Sequence, residues 1–201
     1  MSHVLVLHSK LPAGPCPAGL SLLLKRLPYA KRLELEAREP DARCTSLAGI
    51  ALALRGMTVM LSGPVDPCRL SFPAGGKPCL PGGVGFSISH SGPHVGVALC
   101  SDCEPGFDLE RVDAWAGEPA ASRSRLVRWT ATEAVLKAAG RGLRDAPQVD
   151  LDASLRMGRV SGASFNLVPV EIANDVVAFL ATGNPASLVR VEEVETSALA
   201  P

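Results

Sequence analysis

The stretch VGFSISHSGPHVGVALC, residues 84 to 100, followed closely by GFDLE, residues 106 to 110, decides how this chain is read. The first reads as two strand-like runs separated by Ser91, Gly92 and Pro93, which is the pattern of a hairpin. The second is a further strand, and its two-residue alternation puts Asp108 and Glu110 on one face and Phe107 and Leu109 on the other. Further on, residues 124 to 139 read as a helix. Val127, Ala131, Ala134, Val135 and Ala138 form one buried stripe, Gly140 and Gly142 end it, and Glu133 and Lys137 fall together on the opposite face.

Working towards the N-terminus, VLVLH (4–8) is a strand and a proline-rich loop leads into a basic, helix-like segment, PYAKRLELEAREPDAR (28–43). Lys31, Arg32, Arg38 and Arg43 cluster there. CTSLAGIALALRG (44–56) suits a buried helix stopped by Gly56, MTVML (57–61) suits a strand, and a loop rich in Gly and Pro carries GGKP (75–78). Towards the C-terminus, FNLVPVE (165–171), DVVAFLAT (175–182) and SLVRVEEVE (187–195) read as three strands of a closing antiparallel sheet. A helix and then a hairpin in each half predicts an α+β protein of two similar lobes, 1–101 and 102–201, with a ligand cleft between them.

The 201 residues fit one domain or two small ones, and 47% hydrophobic content is enough to bury a core. Lys plus Arg and Asp plus Glu each number 20, so no basic surplus marks a surface for nucleic acid or anionic membranes. The opening MSHVLVLHSKLPAGP has no cationic front, and the longest apolar stretch, roughly 46–54, is too short for a bilayer. A cytoplasmic location is expected. With no export signal, the six cysteines are expected as reduced thiols. Cys100 and Cys103 form a C-x-x-C with no second pair to complete a zinc set, and are read as small apolar residues near a strand end.

Asp108, Glu110 and Glu133 offer hard oxygen ligands, the type magnesium takes together with waters and ligand phosphates. His90, Lys77 and the basic residues near position 31 would neutralise phosphate charge, and Lys137 would stabilise a leaving phosphate. Each feature alone has a plainer reading. Glu133 and Lys137 at i, i+4 make an ordinary ion pair, a D-x-E strand is commonly a solvated face, His90 can satisfy a hairpin, and Lys77 before Pro78 can be a turn residue. Their occurrence in one order is what points to phosphoryl-group transfer.

That order, GKP (76–78), FSISHSG (86–92), GFDLE (106–110) and WTATEAVLKAAGRG (129–142), resembles the 4'-phosphopantetheinyl transferase superfamily, in its surfactin-synthetase-activating, pseudodimeric type. The family pattern is a G-hydrophobic-D-hydrophobic-E strand followed by W-x-x-K-E-A-x-x-K on a helix, and the resemblance covers roughly residues 25 to 142. It implies two similar α/β lobes related by pseudo-twofold symmetry. It also implies transfer of the 4'-phosphopantetheine arm of coenzyme A to a serine of an apo carrier protein, with release of 3',5'-ADP.

By the same resemblance, Asp108, Glu110 and Glu133 would be ligands of Mg2+, or of Mn2+, with Glu133 also a base for the incoming serine. Lys137 would stabilise the diphosphate or protonate the leaving group. Ser89 and His90 would meet phosphate, Lys77 and Pro78 would form the adenine-side loop, and Arg43 and Lys31 would meet the 3'-phosphate. Two positions depart from the pattern: Thr132 stands where the family usually has lysine, and the 111–128 segment is short. They motivate an alternative, a catalytically degenerate member that binds coenzyme A or a carrier protein. An unrelated metal-dependent phosphoesterase is a third. Arg123, Arg125 and Arg128 are expected to steer an acidic carrier, and the chain is expected to be a monomer.

Overall fold

The computed structural model describes residues 2–74, 76–113 and 120–199. Among them the elements are β1 (Ser2–Lys10), α1 (Ala18–Arg26), α2 (Tyr29–Glu36), α3 (Pro40–Met60), β2 (Gly85–Ser91), β3 (His94–Cys100), β4 (Gly106–Arg111), α4 (Ala120–Ala138), β5 (Asp150–Leu151), β6 (Met157–Val160), β7 (Ala163–Pro169), β8 (Val176–Thr182) and β9 (Ala186–Glu193). The fold is mixed α+β with two sheets, ordered β2-β3-β1-β9 and β4-β8-β7-β6-β5.

The layers follow from strand alternation. Val4, Val6 and Ala98 from the first sheet meet Phe107, Leu109, Ala178 and Leu180 from the second in a core between the sheets. The opposite faces take the helices. Leu47, Leu52 and Met57 of α3 pack with Phe86, Val97 and Leu99, while Leu126, Ala131, Ala134 and Val135 of α4 pack with Leu167, Val177 and Phe179. Burying a side chain of the size of Leu or Phe contributes roughly 1.5–3 kcal/mol, so these layers fix where β4 and α4 sit.

Four sequence expectations are corrected. First, α3 continues through Gly56, and MTVML forms its last turns instead of a strand. A Cβ at Gly56 would strike the Leu99 side chain, so this glycine lets the helix backbone lie close on β3 and does not stop the helix. Second, the run after Pro17 is not loop: Leu20, Leu23 and Leu27 recur at helical spacing, all buried, along and just after α1.

Third, the last strand does not join an antiparallel sheet. β9 runs parallel to β1 at the edge of the first sheet, where β1 offers an open row of backbone groups, and Val189 packs into the layer between the sheets. The second sheet is instead extended by the β5–β6 pair, whose turn is held by Asp152 Oδ1 accepting from the amides of Arg156 and Met157.

Fourth, Cys100 and Cys103 are not reduced thiols but are joined as a disulfide across the turn that ends β3, with Cα atoms 5.5 Å apart, inside the range a disulfide spans. Cys16, Cys44, Cys68 and Cys79 are free. Burial, with Cys16 alongside, pushes the Cys44 thiol up to about 12. Among the described residues, no helix is long and apolar enough to cross a membrane.

Candidate phosphate and metal site

β4 is an edge strand of the second sheet and β2 an edge strand of the first, and they lie side by side. Serine hydroxyls join them in place of a backbone ladder. Alternation along β2 sends Phe86 and Ile88 into the α3 core and leaves Ser87, Ser89 and Ser91 on the other side. The Ser87 hydroxyl accepts from the Phe107 amide at 3.0 Å. Ser89 donates to Asp108 Oδ1 at 2.7 Å, and Ser91 donates to Glu110 Oε2 at 2.7 Å while accepting from the Arg111 amide at 3.2 Å. Of these three serines the sequence reading singled out only Ser89. A serine every second residue from 87 to 91 was the available signal for the other two.

α4 lies directly across the same strand. A Cβ at Gly106 would collide with the Ala134 carbonyl oxygen and the Ala138 amide, so the glycine that opens GFDLE is the residue that admits the helix. Close approach brings Glu133 and Lys137 to the acids of β4. One ligand oxygen from each of Asp108, Glu110 and Glu133 falls in a set lying within 4.8 Å of one another. Glu133 and Lys137 are therefore half-buried at the junction of the sheets and not on an open helix face, which corrects the reading from periodicity. That reading also misjudged the stripe, since Leu126 and Thr130 are fully buried while Val127 and Ala138 are only partly so.

Lys137 Nζ donates to Asp108 Oδ1 at 2.6 Å and to Ser89 Oγ at 3.0 Å. The other carboxylate oxygen, Asp108 Oδ2, is buried and has no hydrogen-bond partner among the described residues. An unsatisfied carboxylate oxygen away from water is costly unless a cation meets it. Burial, then the nearby Asp108 charge, pushes the Glu133 carboxyl up to about 7; Lys137 and the Trp129 side chain oppose that rise. Burial also raises Glu110, a rise that the Ser91 hydrogen bond opposes. Glu110 and Glu133 thus hold protons more tightly than free carboxyls, chiefly because they are buried.

Two cavities are lined by neighbours of these groups, one by His90, next to Ser89, and the other by Lys137, and Pro78 lines both. One, of about 480 Å³, is lined by Lys31, Arg38, Ser46, Phe72, Pro78 and His90 among others. Within it Glu34 accepts from Lys31 at 2.9 Å and from Arg38 at 2.6 Å, and Lys31 lies 5.0 Å from the centre of the Phe72 ring. The surrounding walls strip water from the His90 ring and lower its pKa, with Lys137 and Arg38 pushing the same way. The other cavity, of about 310 Å³, is lined by Lys77, Pro78, Glu104 and Lys137 among others. Lys77 Nζ donates to Glu104 Oε2 at 2.9 Å and to the Pro105 carbonyl at 2.6 Å.

The structure thus gathers Lys31, Pro78 and His90 at one cavity and Lys77, Pro78 and Lys137 at the other, with Ser89 on the carboxylates. Arg43 does not line either; its Nη1 reaches the Glu36 carbonyl at 3.5 Å, and Arg38 is the arginine at the wall. Arg123, Arg125 and Arg128 are exposed along the first half of α4. Arg123 also lines a cavity of about 660 Å³, between α4, the 169–174 loop and β8, that holds none of the expected site residues. Thr132 donates to the Arg128 carbonyl at 2.8 Å and adds no charge. Residues 114–119 of the short 111–128 segment lie outside the described residues. Comparison with protein-family models and with curated proteins finds no match for this chain.

Proposed function

We propose that this chain is a magnesium-dependent transferase of the 4'-phosphopantetheinyl transferase superfamily, moving the phosphopantetheine arm of coenzyme A onto a serine of an apo carrier protein. The observation that carries the reading is the buried Asp108 Oδ2, without a hydrogen-bond partner among the described residues, inside a three-carboxylate cluster whose Lys137 also lines a cavity shared with Lys77. A strong acceptor with no donor is the place a hard cation fits, and neighbouring lysines suit the phosphates such a cation accompanies. The strand orders support the pseudo-twofold part of the reading. β3 lies between β1 and β2 as β8 lies between β4 and β7, with α3 and α4 each following the first strand of its set.

Asp108, Glu110 and Glu133 would hold Mg2+, or Mn2+, which supplies charge neutralisation on the diphosphate oxygens. The chain's own residues do the rest. Lys31, Arg38 and His90 bind and orient the nucleotide end, and Lys77 and Lys137 meet the diphosphate. The carrier serine oxygen attacks the β-phosphorus, and the bond from that phosphorus to the oxygen of the departing 3',5'-ADP breaks. Glu133 accepts the serine proton directly or through a water, and Lys137 balances charge on the leaving phosphate.

Thr132 favours a second reading. Its hydroxyl is spent on the helix backbone, so the lysine the family pattern has there is not replaced, and a chain that binds coenzyme A or a carrier protein without turnover fits that loss. Following release of 3',5'-ADP from coenzyme A separates the readings. Release only with an apo carrier bearing its serine supports the transferase, and binding without release supports the binder. Release without an acceptor would point to a phosphoesterase.

A further inference from the structure

We propose that Lys137 is the resident cation of the carboxylate cluster in the free protein, and that it is handed to a phosphate in the adjoining cavity when a divalent ion enters. Ion and phosphate ligand then bind cooperatively. This rests on reading the site as a metal and diphosphate centre.

The argument starts from where Lys137 sits. Its Nζ bonds Asp108 Oδ1 and Ser89 Oγ, and Asp108 is only 2% exposed, so the ammonium occupies one side of the cluster's most buried ligand. A divalent ion bonded to Asp108 at the usual distance of about 2.1 Å would lie within a few ångströms of that ammonium. Two cations that close repel strongly in a partly buried setting. The ion at Oδ2 and the ammonium at Oδ1 therefore repel each other across one carboxylate, and each weakens the hold of the other.

The side chain has somewhere to go. Lys137 is 29% exposed and lines the cavity that also holds Lys77, so rotation about its flexible stem moves the ammonium there without moving α4. In the free protein that position is unfavourable, because Lys77 already brings a positive charge and its nearest carboxylate, Glu104, is taken up by it. A bound phosphate reverses the balance, attracting both lysines and drawing Lys137 off Asp108. Anything that pulls the lysine away strengthens ion binding, and by linkage the ion strengthens phosphate binding by the same factor.

Paramagnetic titration of free Mn2+ on the full chain, with and without coenzyme A and corrected for ion bound by coenzyme A itself, tests this. The wild type is expected to bind Mn2+ at least tenfold more tightly when coenzyme A is present. Lys137→Met is expected to bind Mn2+ at least tenfold more tightly than wild type without coenzyme A, and to lose most of the coupling. Lys137→Gln serves as a second variant, with thermal unfolding confirming that each is folded. Equal Mn2+ affinity with and without coenzyme A, together with unchanged or weaker binding in both variants, overturns the proposal. Absence of Mn2+ binding in wild type and both variants, indistinguishable from Asp108→Asn, overturns the metal reading and the proposal with it.

Discussion

Glu133 holds its proton up to about pH 7 in the folded chain against 4.5 as the reference for the unfolded one, because burial and Asp108 disfavour its charge. Between those values the folded state binds more protons than the unfolded state, so metal-free stability falls as pH rises from 4.5 to 7 and is level above that. Glu133→Gln removes this loss. Thermal unfolding in a chelator is expected to show the variant more stable than wild type at pH 8 and nearly equal to it at about pH 4, below the unfolded value; equal midpoints at both would contradict the assignment. Ser91→Ala removes hydrogen bonds to Glu110 and Arg111 that are worth about 1 kcal/mol each. It is expected to weaken Mn2+ binding several-fold while the chain stays folded, read by titration against unfolding curves. At this scale the acids were legible because alternation alone puts Asp108 and Glu110 together. The alternation of Ser87, Ser89 and Ser91 was visible too, but not its use, since each hydroxyl's partner lies on another strand about twenty residues away.

β4 and α4 meet through Gly106, and the contact is backbone against side-chain position, with no flexible atom to yield. Gly106→Ala is therefore expected to cost about 3 kcal/mol or more, or to prevent folding, a size typical of overpacking where nothing can shift. Chemical denaturation measures it; a loss under about 1 kcal/mol would mean that the helix does not sit on the strand as described. The hairpin and GFDLE were legible because short apolar runs with turn residues between them specify strands locally. MTVML was not, because a short apolar run looks the same in a strand and in the last turns of a helix, and only contact with Leu99 explains Gly56. Glu133 and Lys137 were misplaced for a related reason: helical periodicity gives the angle between faces but not which neighbour covers the second face.

Across the whole molecule, two sheets packed face to face with a helix outside each bring the edge strands β2 and β4 together, and the site exists only at that junction. The return of β9 to the first sheet was beyond sequence reading, because an alternating strand does not say which open edge it will pair with. Charge placement has the same character. The chain is neutral in total, yet Lys31, Arg38 and His90 line one cavity, and Arg123 and Arg128 stand exposed on α4. Arg38→Ala is expected to weaken coenzyme A binding roughly tenfold, the range for losing a charge-assisted contact, and calorimetry in rising salt should show the difference shrinking. Reversing Arg123 and Arg128 to Glu is expected to slow modification of an acidic carrier at low salt with little change in coenzyme A affinity. An unchanged rate would rule out steering by this helix. The central claim is tested most directly by intact-mass spectrometry of an apo carrier protein incubated with this chain, coenzyme A and magnesium. The account predicts that the carrier gains the mass of one phosphopantetheine, and that Glu133→Ala abolishes the gain. An unmodified carrier, with several carriers tried and coenzyme A demonstrably bound, would contradict it.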